Sequence, residues 1–359
     1  MGMTLVTFLF DLARREPETG RRTVSTYLER AEDFLFGIDR DLVVFAEPEL
    51  AEPIEERRRR RGLGGRTRVF PVAFEELPTS ALVSQIAAAR RERPLLNGDP
   101  RKDTPLYTAL ICAKPELAAR VAQSDPFGGS HVGWIDFGIL ARPYPGEDPF
   151  AHPAERVRLL SMRPLFGHEL TPKEGYFSAL YGHIAANYAC GSRQNMAWLG
   201  AAFARLVRET LDAGYAGSEE QLLPILAHAY PERFEFHHGD YSEALTNYLA
   251  PHGGAENLSY QLRRWRDEGV PGEGAALAQA ICESVEAGEF DADPESLAIL
   301  LDDCYVAAWY AENEPRPLAR RIADLYLGGA ERDEAFRDAF LRYEIHVRRN
   351  FSFLESARR

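Results

Sequence analysis

Four short runs of apolar, β-branched and aromatic residues mark the first 140 positions: 4–10 (TLVTFLF), 41–46 (DLVVFA), 67–72 (TRVFPV) and 132–136 (VGWID). Between them the apolar positions recur at helical spacing, and this alternation predicts βαβ units around a mostly parallel sheet. In the first crossover Thr26 and Glu29 make a capping box, followed by Tyr27, Ala31, Phe34, Leu35 and Ile38 on one face. Pro53 reads as the start of a second helix that stops at Gly62, Gly64 and Gly65. Asp103 and Thr104 are cap candidates ahead of Pro105, whose helix runs to about Ala113 before Pro115 breaks it and a second helical piece follows.

After residue 140 the Pro-rich segment RPYPGEDPFAHP reads as a loop, and MRPLF and GYFSALYGHIAANYACG as strand-like material. Gln194 to Ala213 is helical, with Gly214 closing it. Ser218 and Gln221 form a capping box for the next helix, and RFEFHHGDY alternates as a strand that ends in a turn. From about residue 255 five stretches read as helices separated by Gly and Pro, without a repeat period. The expected division is an α/β domain over 1–250 and a small helical domain over 251–359.

Composition narrows the functions. A formal net charge of −13 opposes a nucleic-acid polymer as partner, because such binding needs Lys and Arg to neutralise phosphates. A locally positive pocket for a single nucleotide is still compatible with it. No stretch approaches the ~20 apolar residues of a membrane span, and MGMTLVTFLFDLARR is apolar for only about seven residues before Asp11. Cys112, Cys190, Cys282 and Cys304 form neither a CxxC pair nor zinc spacing with histidine, the pattern of reduced thiols in a cytoplasmic protein.

In an open α/β sheet ligands bind beyond the carboxyl ends of the strands. Phe8, Phe10 and Asp11, then Ala46 and Glu47, then Asp136, Phe137 and Gly138 stand at three such ends, so all are expected at one crevice. A carboxylate such as Asp136 can hold Mg²⁺ or Mn²⁺ against a nucleotide diphosphate, since these hard cations favour oxygen ligands. Of the five arginines Arg57 to Arg61, most are explained by i,i+4 pairing with Glu55 and Glu56, yet five successive residues sweep a full turn, so one or two must face the protein and could meet an anion. Lys102 and Asp103 are further donor-side candidates, although an N-cap explains Asp103 equally well. Gly191 and Ser192 could shape an acceptor pocket with backbone N–H groups. Tyr241 joins them or belongs to the core, as does Trp134.

The runs TLVTFLFDL and DLVVFAEPEL, KDTPLY at Lys102 to Tyr107, GWIDFGI at Gly133 to Ile139 and HHGDYSEALTNY at His237 to Tyr248 together resemble the HtrL/YibB (WlaTC-like) family of glycosyltransferases, over residues 3 to 250. The resemblance implies a GT-A-like fold and sugar transfer from a nucleoside-diphosphate sugar. It also implies a D-x-D metal motif at Asp136, of which the second carboxylate is replaced by Gly138, and a third metal ligand from a late loop, where His238 and Asp240 share a strand face. A general base is expected late in such a domain. Glu220 is the first choice and Glu219 the reserve, although both also suit the first turn of a helix, where acids face the positive end of the dipole. The expected activity is therefore glycosyl transfer to an unspecified acceptor, with Mn²⁺ or Mg²⁺ as candidate cofactor. A nucleotidyltransferase and a non-catalytic nucleotide- or peptide-binding module are the rivals.

Overall fold

Seven strands, β1 (Met3–Leu9), β2 (Asp41–Ala46), β3 (Thr67–Pro71), β4 (His131–Ile135), β5 (Val157–Ser161), β6 (Ile184–Ser192) and β7 (Phe234–His238), make one sheet in the order β3-β2-β1-β4-β6-β5-β7. β3, β2, β1 and β4 run parallel, β6 is antiparallel to β4, and β5 is antiparallel to β6. The sheet is mostly parallel, as the alternation of patterns predicts. β6 lies within the stretch read as strand-like, and its antiparallel direction is set by its pairing with β4. This computed structural model describes residues 2–140, 148–162, 173–180, 182–238, 271–288, 292–311 and 316–334, with one or two residues at a time between and after them.

The helices of the sheet-bearing part are α1 (Leu12–Arg15), α2 (Val24–Asp33), α3 (Pro48–Arg60), α4 (Val83–Glu92), α5 (Pro105–Cys112), α6 (Lys114–Ser124), α7 (Lys173–Phe177), α8 (Arg193–Asp212) and α9 (Glu219–Ala229). Strands covered on both faces lack polar positions. Accordingly Leu5, Val6, Val43 and Val44 are all buried in the core.

Several local expectations need correction. The cap of α2 is Thr23, whose extended backbone lets its hydroxyl accept the N–H of Thr26, so Thr26 lies inside the helix. α3 opens at Pro48, directly after β2; Pro53 is internal. Residues 175–177 (GYF) belong to α7 and not to a strand. Thr104 does cap α5, accepting the N–H of Tyr107, and Ser218 with Gln221 does form the capping box of α9.

One helix crossing fixes the depth of α6. A Cβ on Gly200 of α8 would stand 2.3 Å from Ala119 Cβ and 2.8 Å from the Pro115 carbonyl oxygen, so the two helices meet backbone to backbone there.

Contacts divide the chain into two units, one formed by Met1–Met162, His168–His237 and Tyr241–Ala250, the other chiefly by residues from Pro251 onward. The second unit contains α10 (Pro271–Ala287), α11 (Pro294–Ala311) and α12 (Pro317–Arg332), which share a core of Ile281, Leu300, Leu301, Tyr305, Ile322 and Tyr326. The first and last of the five expected helices fall largely outside the described residues. No helix among the described residues is long and apolar enough to cross a membrane.

Candidate active site

Lys114 is the first residue of α6, a position where the helix dipole disfavours a cation. It is nevertheless buried, and its ammonium is held by three acceptors: Asp136 Oδ1 at 2.8 Å, Glu219 Oε1 at 2.9 Å and the Ala186 carbonyl at 3.4 Å. Burial alone would lower the Lys114 pKa. Asp136 and then Glu219 outweigh it and hold the group well above its usual value, so it is charged. One ammonium thus joins the C-terminal end of β4, the middle of β6 and the N-terminus of α9.

Asp136 follows β4 directly, and its backbone N–H donates to the Asn187 carbonyl of β6 at 2.8 Å. Its Oδ1 also accepts the indole N–H of Trp134 at 2.8 Å. Trp134 lies 5.7 Å below the Lys114 ammonium and edge-on to Phe8, which meets Phe10, which meets Phe74. A row of aromatic rings therefore runs from the end of β1 to Asp136.

Glu219 and Glu220 open α9, and the dipole of its N-terminus favours their charge. The two have different surroundings. Glu219 is 4% exposed with Oε1 on Lys114, and its Oε2 has no hydrogen-bond partner among the described residues. Glu220 is half-buried. Its carboxyl is pushed up to about 7, first by burial and then by the charge of Glu219, against the lowering effects of Lys114 and of the Ala186 backbone hydrogen bond. A carboxyl poised near neutrality beside a second acid is a candidate proton acceptor.

Two phenols face the cluster. Tyr241 is 49% exposed as a residue, and its phenol is raised first by desolvation and then by Asp136 and Glu220. The Tyr241 carbonyl accepts the side-chain N–H of Asn187 at 2.9 Å. Burial likewise raises Tyr107, with Glu219 adding to it. The Arg21 guanidinium covers the Tyr107 ring at 5.0 Å while bonded to Glu16 and to Thr104.

Residues 1–250 match the model of a family described as "Bacterial protein of unknown function (HtrL_YibB)". The chain belongs to the HtrL_YibB family. Among solved structures it is similar to mouse xyloside xylosyltransferase 1 in its apo form, at 12% identity, over 66% of this chain and 84% of that chain, with a TM-score of 0.37. No curated protein matches the chain at a significant level. The described members of the cluster lie within the matched HtrL_YibB region.

Elsewhere in the HtrL_YibB region the structure sorts the expected site residues by place. Phe8, Asp136, Glu219, Glu220 and Tyr241 come together with Lys114. Phe10 is buried against Phe74. Asp11 and Glu47 lock to each other at neighbouring strand ends: the Asp11 N–H donates to Glu47 Oε2 at 2.8 Å, Asp11 caps α1, and Arg15 holds Glu47 Oε1 at 2.8 Å. Phe137, expected to face the donor, is 5% exposed and packs on Phe36 in the core. Gly138 lies under Tyr27, whose Cδ1 is 2.6 Å from where a Cβ would stand.

The arginine run is not brought to this cluster. It ends α3, which starts at the carboxyl end of β2 and so returns toward the opposite edge. There Arg58 is fully buried and donates to the carbonyls of Phe36, Ile38 and Arg40 and to the Thr67 hydroxyl, just ahead of β2 and in β3. Arg57 and Arg61 bind Glu32 of α2. Gly191 and Ser192 are also at that edge, because antiparallel β6 sets them opposite Val132 and His131, at the start of β4. Ser192 caps α8 instead. Lys102 is exposed in a turn with Asp99, and the charged neighbours of Asp103 are Arg90, Asp99 and Lys102. The His238 side chain and Asp240 lie outside the described residues.

Sequence reading overlooked Lys114 and Tyr107. Lys114 had a signal: a lone lysine between ICA and Pro115, at a helix start, needs a carboxylate partner if it is buried.

Proposed function

We propose that the sheet-bearing unit is a glycosyltransferase of GT-A-like architecture that transfers a sugar from a nucleoside-diphosphate sugar to a hydroxyl-bearing acceptor. The observation that carries this reading is the meeting of Asp136, at a strand carboxyl end, with Glu219 and Glu220, at a helix N-terminus, around one buried lysine. The strand order, the family membership and the aromatic row beside Asp136 are compatible with it. The nucleotide part of the donor lies over the ends of β1 and β2, beside Phe8. The sugar lies at Asp136, whose half-exposed carboxylate accepts hydrogen bonds from its hydroxyls.

In the transfer step the Glu220 carboxylate takes the proton of the acceptor hydroxyl as that oxygen bonds to the anomeric carbon. The bond from that carbon to the diphosphate oxygen breaks, and the nucleoside diphosphate leaves with the electron pair. Glu219 is held by Lys114, and its effect on Glu220 is to raise that carboxyl toward the basicity the task needs. The test is to incubate the protein with UDP, GDP, ADP and dTDP sugars and follow release of nucleoside diphosphate, with and without simple glycoside acceptors. Slow donor hydrolysis that Glu220→Gln abolishes supports the reading. Pyrophosphate release from a nucleoside triphosphate would replace it by nucleotidyl transfer, and binding without any turnover by a binding module.

A further inference from the structure

A ligand at the Lys114 cluster meets few free hydrogen-bond donors. An ammonium has three protons, and Lys114 has three acceptors for them in Asp136, Glu219 and the Ala186 carbonyl, so nothing is left for a ligand. The indole N–H of Trp134 is likewise taken by Asp136. Acceptors are in surplus: Glu219 Oε2 and Asn187 Oδ1 are buried without a hydrogen-bond partner among the described residues. Two phenols face this cluster, Tyr107 and Tyr241, and neither hydroxyl bonds any described residue. Burial holds both above their ordinary value, so both stay protonated and able to donate.

The two phenols have different neighbours. Those of Tyr241 are first Asp136 and Glu220, and those of Tyr107 are Glu219, Lys114, Asp136 and Tyr27. Tyr27 is the ring that closes over Gly138. Tyr107 therefore stands on the Asp136–Gly138 side of the cluster, and Tyr241 on the side of Glu220, where the acceptor loses its proton.

Tyr107 is also held in place. Its backbone N–H is taken by the Thr104 cap at 3.2 Å, and the Thr104 hydroxyl donates to Glu16 at 2.8 Å. The Arg21 guanidinium, 7% exposed, covers the Tyr107 ring at 5.0 Å while paired with Glu16 at 2.8 Å and bonded to Thr104. A ring fixed from the backbone and from one face presents its hydroxyl at little further entropic cost when a ligand arrives.

We propose that Tyr107 is a specificity-determining residue of the donor side, whose hydroxyl donates a hydrogen bond to a hydroxyl oxygen of the sugar carried by the nucleoside diphosphate, beside Asp136. The proposal rests on the glycosyltransferase reading and adds which part of the donor this pocket recognises. A neutral donor among carboxylates suits an uncharged hydroxyl, which can both give and accept a proton, whereas those carboxylates repel a phosphate.

The test titrates nucleotide sugars, and the same nucleoside diphosphates without sugar, into the full-length wild type and Tyr107→Phe by calorimetry, all in the presence of Mn²⁺. Phe keeps the ring under Arg21 and removes only the hydroxyl, so the melting temperature should stay near that of wild type. Affinity for the nucleotide sugar should fall about fivefold, as for one lost hydrogen bond between neutral groups, and affinity for the bare nucleoside diphosphate should stay within about twofold. Among donors whose sugar lacks one hydroxyl, one should bind wild type about fivefold more weakly than its parent and lose nothing further in Tyr107→Phe.

Equal losses for both ligands, no loss for either, or a deoxy series in which every loss adds to that of Tyr107→Phe overturns the proposal and leaves the glycosyltransferase reading standing. A Tyr107→Phe chain that does not fold overturns it too, because the hydroxyl would then serve the fold. If wild type binds no nucleotide sugar, both readings fall together.

Discussion

The ammonium of Lys114 stands 2.8 Å from Asp136 Oδ1 and is itself buried, so the carboxylate at the end of β4 is held from behind by a fixed positive charge. Glu219 shares that ammonium and Glu220 does not bond it, which gives two adjacent acids on one helix turn different work.

Asp136 and Glu220 should fail at different steps. Asp136→Asn should weaken donor binding, because it replaces the charged acceptor of the sugar hydroxyls by a neutral amide and loosens the hold of Lys114 on that side chain. Glu220→Gln keeps shape and hydrogen bonding but removes basicity, so turnover should fall by something on the order of 10²-fold or more with donor affinity intact. A helix-dipole role alone would cost only about 0.3–1 kcal/mol of stability and leave turnover near normal. Donor calorimetry, melting temperature and turnover of both variants distinguish these results.

The Glu220 carboxyl has its ordinary value of 4.5 raised to about 7. A base must be ionised, so turnover should climb with pH and level off above about pH 7. Glu219→Gln removes the neighbouring negative charge and should move that limb to lower pH; an unmoved limb would remove Glu219 from this role. The stability effect has the opposite slope. Between pH 4.5 and 7 the folded chain keeps a proton that the unfolded chain has released, so unfolding free energy falls as pH rises through this window. Urea titrations of wild type and Glu220→Gln at pH 5 and pH 8 should show a smaller difference in the variant.

Arg58 should be the only member of its run that matters for folding. Its buried guanidinium satisfies three carbonyls and a hydroxyl, so Arg58→Ala should cost roughly 3–5 kcal/mol. Arg59 and Arg60 pair with Glu56 on the surface, and their alanine variants should stay within about 0.5 kcal/mol of wild type. Donor affinity should be unaltered in every variant that folds. A donor defect in Arg59→Ala or Arg60→Ala would bring the run back to the ligand.

Gly138→Ala should destabilise by about 1–3 kcal/mol, because its methyl group meets the Tyr27 ring. Tyr27→Ala in the same chain should recover part of that loss. A double-mutant cycle with no coupling would show that the strain is relieved elsewhere.

The parallel strands were legible because their runs are dominated by apolar, β-branched and aromatic residues, and Ser218 and Thr104 announced their helices through capping chemistry. β6 was hard to place. Its residues read as strand, but whether IAANYACGS runs up or down is a matter of long-range pairing, and that direction moved Gly191 and Ser192 to the far edge. The arginine run misled for a related reason: charge is visible in sequence, whereas the main-chain carbonyls that Arg58 satisfies are not. Asp136 and Glu220 were readable as strand-end and helix-start acids. The flanks of Lys114 hint at a buried lysine, but its partners Asp136 and Glu219 could not be read, since nothing in a linear chain marks residues 114, 136 and 219 as neighbours.

The crossing at Gly200 has a consequence for how this site tolerates change. Pro115, which α8 touches there, directly follows the lysine and Ala119 lies one turn further on, so the spacing of two helices sets how far Lys114 reaches toward β4. A single added methyl at position 200 has nowhere to go but into α6, and a shift of even part of an ångström is comparable to the tolerance of a hydrogen bond. Substitutions on the far side of α6 can therefore detune the acids at the strand end without touching them, and mutational sensitivity should follow this helix pair as much as the site's own outline.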